Sequence, residues 1–311
     1  MVFERIVERT LPDGRVAKVY PFHISLEGME SILLCREDVD YDHLQKSFYL
    51  GTLDSNTLVI IDIAMSTHGH CAVLAQTWED AFRTGEYVKK RQAQYLAYKY
   101  GDRNVLARTR ISVQYLDSDR YVRNALAYIV RNAADTGCRI EDYRWSSYRG
   151  MFVEGKAVSA CRCVSALSRR EKEALMRTHK DLRQVPWLLD AEDRVEPVSV
   201  CDYAYLESAF LGDQAYFLRM IGSVNPAEMR QKLVLNARVW QADSAFLVSV
   251  ADVCENWFHK EIPQLTLAQK KRLLPYLFRS FRTSVAQLAR CIRLAPEEVR
   301  QALLENGIKV R

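Results

Sequence analysis

Apolar and polar positions along this chain follow two periods, and the switches between them mark its elements. Residues 58–65, LVIIDIAM, form an apolar run rich in Val and Ile, which reads as a strand buried on both faces or nearly so. Ser66 and Thr67 break the run, and a second one begins at Cys71 and reaches Ala75. The simplest reading is an antiparallel pair joined by a tight turn. His68 and His70 then stand just past the turn, two residues apart. Side chains at i and i+2 of a strand project from one face, so the two imidazoles point the same way, with Gly69 and Cys71 on the other face. Two imidazoles side by side can share a cation. Two histidines near a turn are also commonly plain polar residues at a sheet edge.

The remaining segments extend this pattern. VAKVYPFHISLE at 16–27 reads as a first strand, ended by Gly28. Residues 39–50 carry apolar or aromatic side chains at 41, 44, 48 and 50, a helical spacing, and 53–56 turn the chain into the central strand. A second helix spans 78–100, with Phe82, Tyr87, Ala93, Tyr95 and Leu96 among its apolar positions and Lys89, Lys90 and Arg91 clustered on it. A strand is predicted within 104–116, then a helix over 119–134 capped by Asp117 or Ser118. The order β, α, β-turn-β, α, β, α predicts an α+β domain with a mainly antiparallel sheet. Residues 155–262 read as helical, with helical spacing over 168–179, 203–220 and 245–257 and a helix start at Asn225-Pro226. They carry no catalytic signature.

The end of the chain is more legible. Thr266 caps a helix to about Phe278, and TSVAQLARCIRLAPEEVRQALLENG at 283–307 then resembles a helix-turn-helix. Thr283 or Ser284 caps its first helix, 293–295 turn, and Pro296 opens the second helix where a missing N–H costs nothing. Arg300, Gln301, Asn306 and Lys309 are placed to face DNA, although short helical hairpins also serve as packing units. The expected division is 1–154 for the α+β domain, 155–262 for a helical connecting region and 263–311 for the terminal module.

Composition sharpens this picture in three ways. With 311 residues and 49% hydrophobic positions, the chain can bury a real core, in about two domains. No apolar stretch approaches the ~18–20 residues that span a bilayer, and Met1–Thr10 carries Glu4, Arg5, Glu8 and Arg9 where a signal peptide would be apolar, so a soluble, cytoplasmic chain with no membrane partner is expected. The eight cysteines include no CxxC pair, and Cys161 and Cys163 lack the second pair a zinc site needs, so reduced thiols are expected. The net charge is +5, yet residues 266–311 alone hold ten Lys or Arg against three acids, +7, leaving the remainder at −2. A basic terminal module suggests a polyanion, most often nucleic acid, with a solvated basic face as the plainer account. Arg108 and Arg110, with Lys89, Lys90 and Arg91, are further candidate phosphate contacts.

The helix DRYVRNALAYIVRNAA at 119–134 places Tyr128 and Asn132 four residues apart on one face, with Tyr121 and Asn124 on or near it. A stripe of Tyr and Asn suits a polar cleft better than an apolar interface, although a single tyrosine such as Tyr128 is more commonly a core aromatic with its hydroxyl satisfied. Together with HISLEG at 23–28, the His68-Gly69-His70 strand, AYIVRNAADTG at 127–137 and EDYRWSSYRGMF at 141–152, the helix resembles the REP-associated tyrosine transposases, bacterial relatives of the single-tyrosine, histidine-hydrophobic-histidine (HUH) transposases. The resemblance covers roughly 15–152. Two positions depart from the family pattern: Gly69 stands where the middle residue is usually apolar, and Ala133 where a proline usually follows the asparagine.

The resemblance implies a ferredoxin-like HUH nuclease domain, with His68, His70 and Asn132 as ligands of a divalent metal, Mg²⁺ or Mn²⁺, and Tyr128 as nucleophile. Tyr121 is the second choice of nucleophile. It further implies single-stranded or hairpin DNA as partner, nicking and strand transfer through a 5′-phosphotyrosine, and a monomer or a homodimer, since some relatives exchange the tyrosine helix between subunits. A non-enzymatic DNA-binding regulator built on a retired transposase domain is the other expectation.

Overall fold

The computed structural model describes residues 3–28, 32–105, 107–153, 162–223, 243–281 and 283–308. Contacts divide the chain into two compact units, Met1–Leu233 and Val234–Arg311.

The first unit is built on a five-stranded antiparallel sheet. Its elements run β1 (Val7–Thr10), β2 (Val16–Gly28), α1 (Asp38–Ser55), β3 (Leu58–Ala64), β4 (His68–Ala75), α2 (Trp78–Tyr100), β5 (Thr109–Tyr115) and α3 (Asp119–Arg131). The long β2 is the organising strand. Its first residues pair with β1, while Tyr20–Glu27 pair with β4 and Phe22–Gly28 with β5; β3 closes the order on the far side of β4. The turn between β3 and β4 is tight, held by Met65 N–H donating to the His68 carbonyl at 2.8 Å, so β4 begins at His68 and both histidines belong to it.

Strand alternation gives the sheet two unlike faces. Ile24, Leu26, Cys71, Ile111 and Val113 share one face with Gly69. There α1 presses Leu44 and Phe48 on Gly69, and α2 brings Gly85 against Ile24 and Ile111. A Cβ at Gly69 would lie 3.3 Å from the tips of both Leu44 and Phe48, so glycine lets α1 approach the strand closely. The other face carries His23, Ser25 and Glu27 on β2, His68 and His70 on β4, and Arg110, Ser112 and Gln114 on β5. α3 lies across this face over β3 and β4. Its start is fixed by Ser118, whose hydroxyl accepts from Tyr121 N–H at 3.3 Å.

The stretch from 162 onward belongs to the same core up to Ile221. It holds a two-stranded ladder, β6 (Arg162–Cys163) with β7 (Leu188–Leu189), around α4 (Arg169–Met176), then α5 (Tyr203–Ala209) and α6 (Gln214–Ser223), which both pack on α3. The single helix expected over 203–220 is two helices: Leu211 and Gly212 take φ of 59° and 71°, a left-handed pair that no helix continues through. The connecting region expected at 155–262 is thus shared between the two units. The helix start expected at Asn225-Pro226 lies outside the described residues.

The second unit is helical throughout its described residues: α7 (Asp243–Phe258), α8 (Leu267–Ser280), α9 (Val285–Ile292) and α10 (Pro296–Glu305). Its core gathers Phe246, Val250, Leu273, Leu277, Leu288, Ile292, Val299 and Leu303. Arg293, at φ 58°, turns the chain between α9 and α10. No described helix is long and apolar enough to cross a membrane.

Candidate active site

The polar face of the sheet and α3 bring four of the expected residues together. His68 Nε2 stands 3.3 Å from Asn132 Oδ1, across 64 positions of sequence. The His68 and His70 rings are 5.1 Å apart between centroids, and the Tyr128 ring lies edge-on to His70 at 5.3 Å. Asn132 sits at the C-terminal cap of α3, and its amide orientation is fixed: Nδ2 donates to the Tyr128 carbonyl at 2.8 Å, which turns Oδ1 toward His68. The helix end therefore uses one side of the amide for its own carbonyl and offers the other to the sheet.

Burial is steep across the site. His70 and Tyr128 are each 2% exposed and Asn132 1%, while His68 is only half-buried and forms the open rim with Glu27, its partner across β2 and β4. Glu27 pairs with Arg110 and accepts from the Ser25 hydroxyl at 3.1 Å. Arg110 is thus beside the site, and Arg108 lies half-buried just before β5.

The other expected cations are elsewhere. Lys89, Lys90 and Arg91 belong to α2, on the opposite side of the sheet from the histidines. Arg91 is committed to the Ser47 hydroxyl at 3.0 Å and the Arg177 carbonyl at 2.8 Å. In the second unit the two α10 side chains expected to face DNA are exposed but engaged. Arg300 binds Glu297 at 2.6 Å, and Gln301 donates to Glu305 at 3.0 Å. Lys309 lies outside the described residues.

His23 joins the site without having been singled out. It is fully buried on β2, with Nε2 3.2 Å from His70 Nδ1 and its ring 6.1 Å from that of Tyr128. Burial pulls its pKa down to about 3, so the ring is neutral. The signal was there in the strand itself: His23, Ser25 and Glu27 recur every second residue, a polar face with the period of a strand. Burial does not separate the two candidate nucleophiles, since Tyr121 is half-buried and Tyr128 almost fully so. The Tyr121 phenol is pushed up to about 12, first by desolvation and then by the Asp117 carboxylate.

Two donors each ~2.1 Å from one cation stand ~3.0–3.4 Å apart at ordinary coordination angles, so the separation of His68 Nε2 and Asn132 Oδ1 suits a ligand pair. Imidazole nitrogen with amide oxygen is a donor set for Mn²⁺, or for Mg²⁺ with further oxygens supplied by phosphate and water. Among the described residues no three His, Cys, Asp or Glu side chains are grouped for a metal; the set here is two histidines and an amide. Comparison with protein-family models, curated proteins and solved structures finds no match.

Proposed function

We propose that the first unit is an HUH-type, ferredoxin-like nuclease domain that nicks and rejoins single-stranded DNA through Tyr128. The observation that carries the reading is the meeting of His68, His70, Asn132 and Tyr128, from a strand and a helix far apart in sequence, on one polar face. His68, His70 and Asn132 would hold a divalent cation, which when bound neutralises charge on a non-bridging phosphate oxygen. Tyr128 Oη attacks phosphorus in line. A tyrosyl–phosphate bond forms at the 5′ side, the bond to the 3′ oxygen breaks, and the phenolic proton leaves to solvent while the 3′ oxygen takes one up. The ester keeps the energy of the broken bond, so a 3′ hydroxyl can reverse the step without a nucleotide cofactor.

In this reading the second unit is a helix-turn-helix, with α9 and α10 as its helices, and its basic charge adds affinity for DNA. One observation favours the other reading, a DNA-binding regulator without catalysis. Tyr128 is almost completely enclosed, so a phosphate arriving at the His68 rim reaches its hydroxyl only if α3 or its neighbours give way.

The two readings part on a denaturing gel. Incubation with hairpin-bearing single-stranded DNA and Mn²⁺ is expected to give a covalent protein–DNA adduct that Tyr128→Phe abolishes, with the variant's DNA affinity close to wild type. A mobility shift on native gels with no adduct on denaturing gels would leave the regulator. An adduct that survives Tyr128→Phe and is lost in Tyr121→Phe would move the nucleophile.

A further inference from the structure

We infer that His23 is a positioning residue for His70: it accepts a hydrogen bond from His70 Nδ1–H and so holds His70 in the tautomer whose unprotonated Nε2 can ligate a cation. The inference rests on the metal site proposed above and adds a residue to it.

The geometry carries it. His23 Nε2 and His70 Nδ1 are 3.2 Å apart, a distance at which one nitrogen donates to the other. With His70 Nδ1 engaged in this way, Nε2 is the ring nitrogen through which His70 would ligate. An imidazole ligates through an unprotonated nitrogen, and a ligating histidine almost always donates its other N–H to a fixed acceptor. The usual acceptor is a carboxylate or a carbonyl. The carboxylate on this face, Glu27, is paired with Arg110 and accepts from the Ser25 hydroxyl. A neutral imidazole on the adjoining strand takes the place of the carboxylate.

The second observation is what the arrangement costs. His23 is fully buried, and its Nδ1 has no partner among the described residues. A buried polar atom left unsatisfied is unfavourable, and a Phe or Leu at this position of the strand would remove the penalty. A side chain that packing alone would replace is therefore explained by its other nitrogen, the one on His70. The alternative proton placement, on His23 Nε2 donating to His70 Nδ1, would put a proton on His70 Nε2 and block it as a ligand.

Full-length ¹⁵N-labelled protein without metal reports this directly, because long-range ¹H–¹⁵N spectra distinguish the two histidine tautomers. The expected result is His70 protonated at Nδ1 in wild type and in His23→Gln, whose side-chain oxygen can accept the same bond, and loss of that preference in His23→Phe. Mn²⁺ titration should show affinity reduced by ~10–100-fold in His23→Phe and largely restored in His23→Gln, with matching circular dichroism and thermal midpoints as the check on folding. His70 protonated at Nε2 in wild type, or Mn²⁺ affinity unchanged in His23→Phe, would overturn the assignment. Wild-type protein that takes up no Mn²⁺ while His70 keeps the Nδ1–H tautomer overturns the metal site and leaves the His23–His70 bond standing.

Discussion

Asp62 lies in the middle of β3, fully buried on the face opposite the histidines. Its carboxylate accepts from Tyr49 Oη and from Gln45 Nε2, both at 2.9 Å, yet desolvation outweighs these bonds and raises its pKa from 3.8 to about 6. An acid with a raised pKa holds its proton more tightly when folded. Its contribution to stability is present below about pH 4 and is lost as pH rises through about 6, where the charged form costs on the order of 3 kcal/mol. Asp62→Asn removes that cost, since an amide can accept from Gln45 and donate to the Tyr49 oxygen. Urea unfolding from pH 4 to 7 should show wild type losing stability relative to Asp62→Asn by a few kcal/mol. His23 and His43, both lowered to about 3 by burial, favour higher pH over part of the same range, but they act equally on both proteins and cancel in the difference. Parallel curves would show that Asp62 is solvated or otherwise paired. The sequence displayed Asp62 only as a blemish in an apolar run, because nothing local reveals that Gln45 and Tyr49 on α1 converge on it.

At the scale of elements, apolar runs and periodicity located β2, β3, β4 and β5 and the helices α1, α2 and α3; β2 and β5 alternate as strands of a sheet with one polar face do, whereas β3 is a nearly continuous apolar run. His68 and His70 follow from strand alternation directly, and Asn132 and Tyr128 from a helix spacing of four. The contact between strand and helix does not, since the docking of α3 depends on α5 and α6 behind it. β1 and the two-residue strands β6 and β7 went unread because such short strands show little or no period, and the break at Leu211-Gly212 because apolar spacing continues on both sides of it. Gly69 shows how tightly these elements meet. A Cβ there would stand 3.3 Å from Leu44 and Phe48, closer than ordinary contact; the Leu44 tip can turn aside, but the Phe48 ring cannot easily do so. Placing an apolar side chain there with Gly69→Val should lower stability by ~1–3 kcal/mol in denaturant unfolding, and Leu44→Ala should recover part of it by vacating the space. A stabilised Gly69→Val protein would mean that α1 is free to retreat and that β-branching gains more than overpacking costs.

For the whole molecule, charge and chemistry are divided between the two units. The site of His68, His70, Tyr128, Asn132 and His23 lies wholly within Met1–Leu233, while the basic stretch 266–311 lies within Val234–Arg311. The boundary that matters for dissection is therefore 233/234, since Phe246, Val250 and Cys254 of α7 belong to the second core and a cut at 266 would expose them. Fixed charges also qualify how the second unit would meet DNA: Arg300 and Gln301 must leave Glu297 and Glu305 before they can bind phosphate or base edges. Its contribution is then expected from diffuse charge more than from base reading. Taking away one phosphate-neutralising cation flattens the plot of log affinity against log salt by ~0.7 for single strands or ~0.9 for duplex. Removing 234–311 should weaken binding to hairpin DNA and reduce that slope by several such steps, while residues 1–233 still form the Mn²⁺-dependent adduct at high DNA concentration. If affinity and slope are both unchanged across a salt titration, the second unit does not touch DNA, and its acidic and basic pairs on α10 mark a surface for protein.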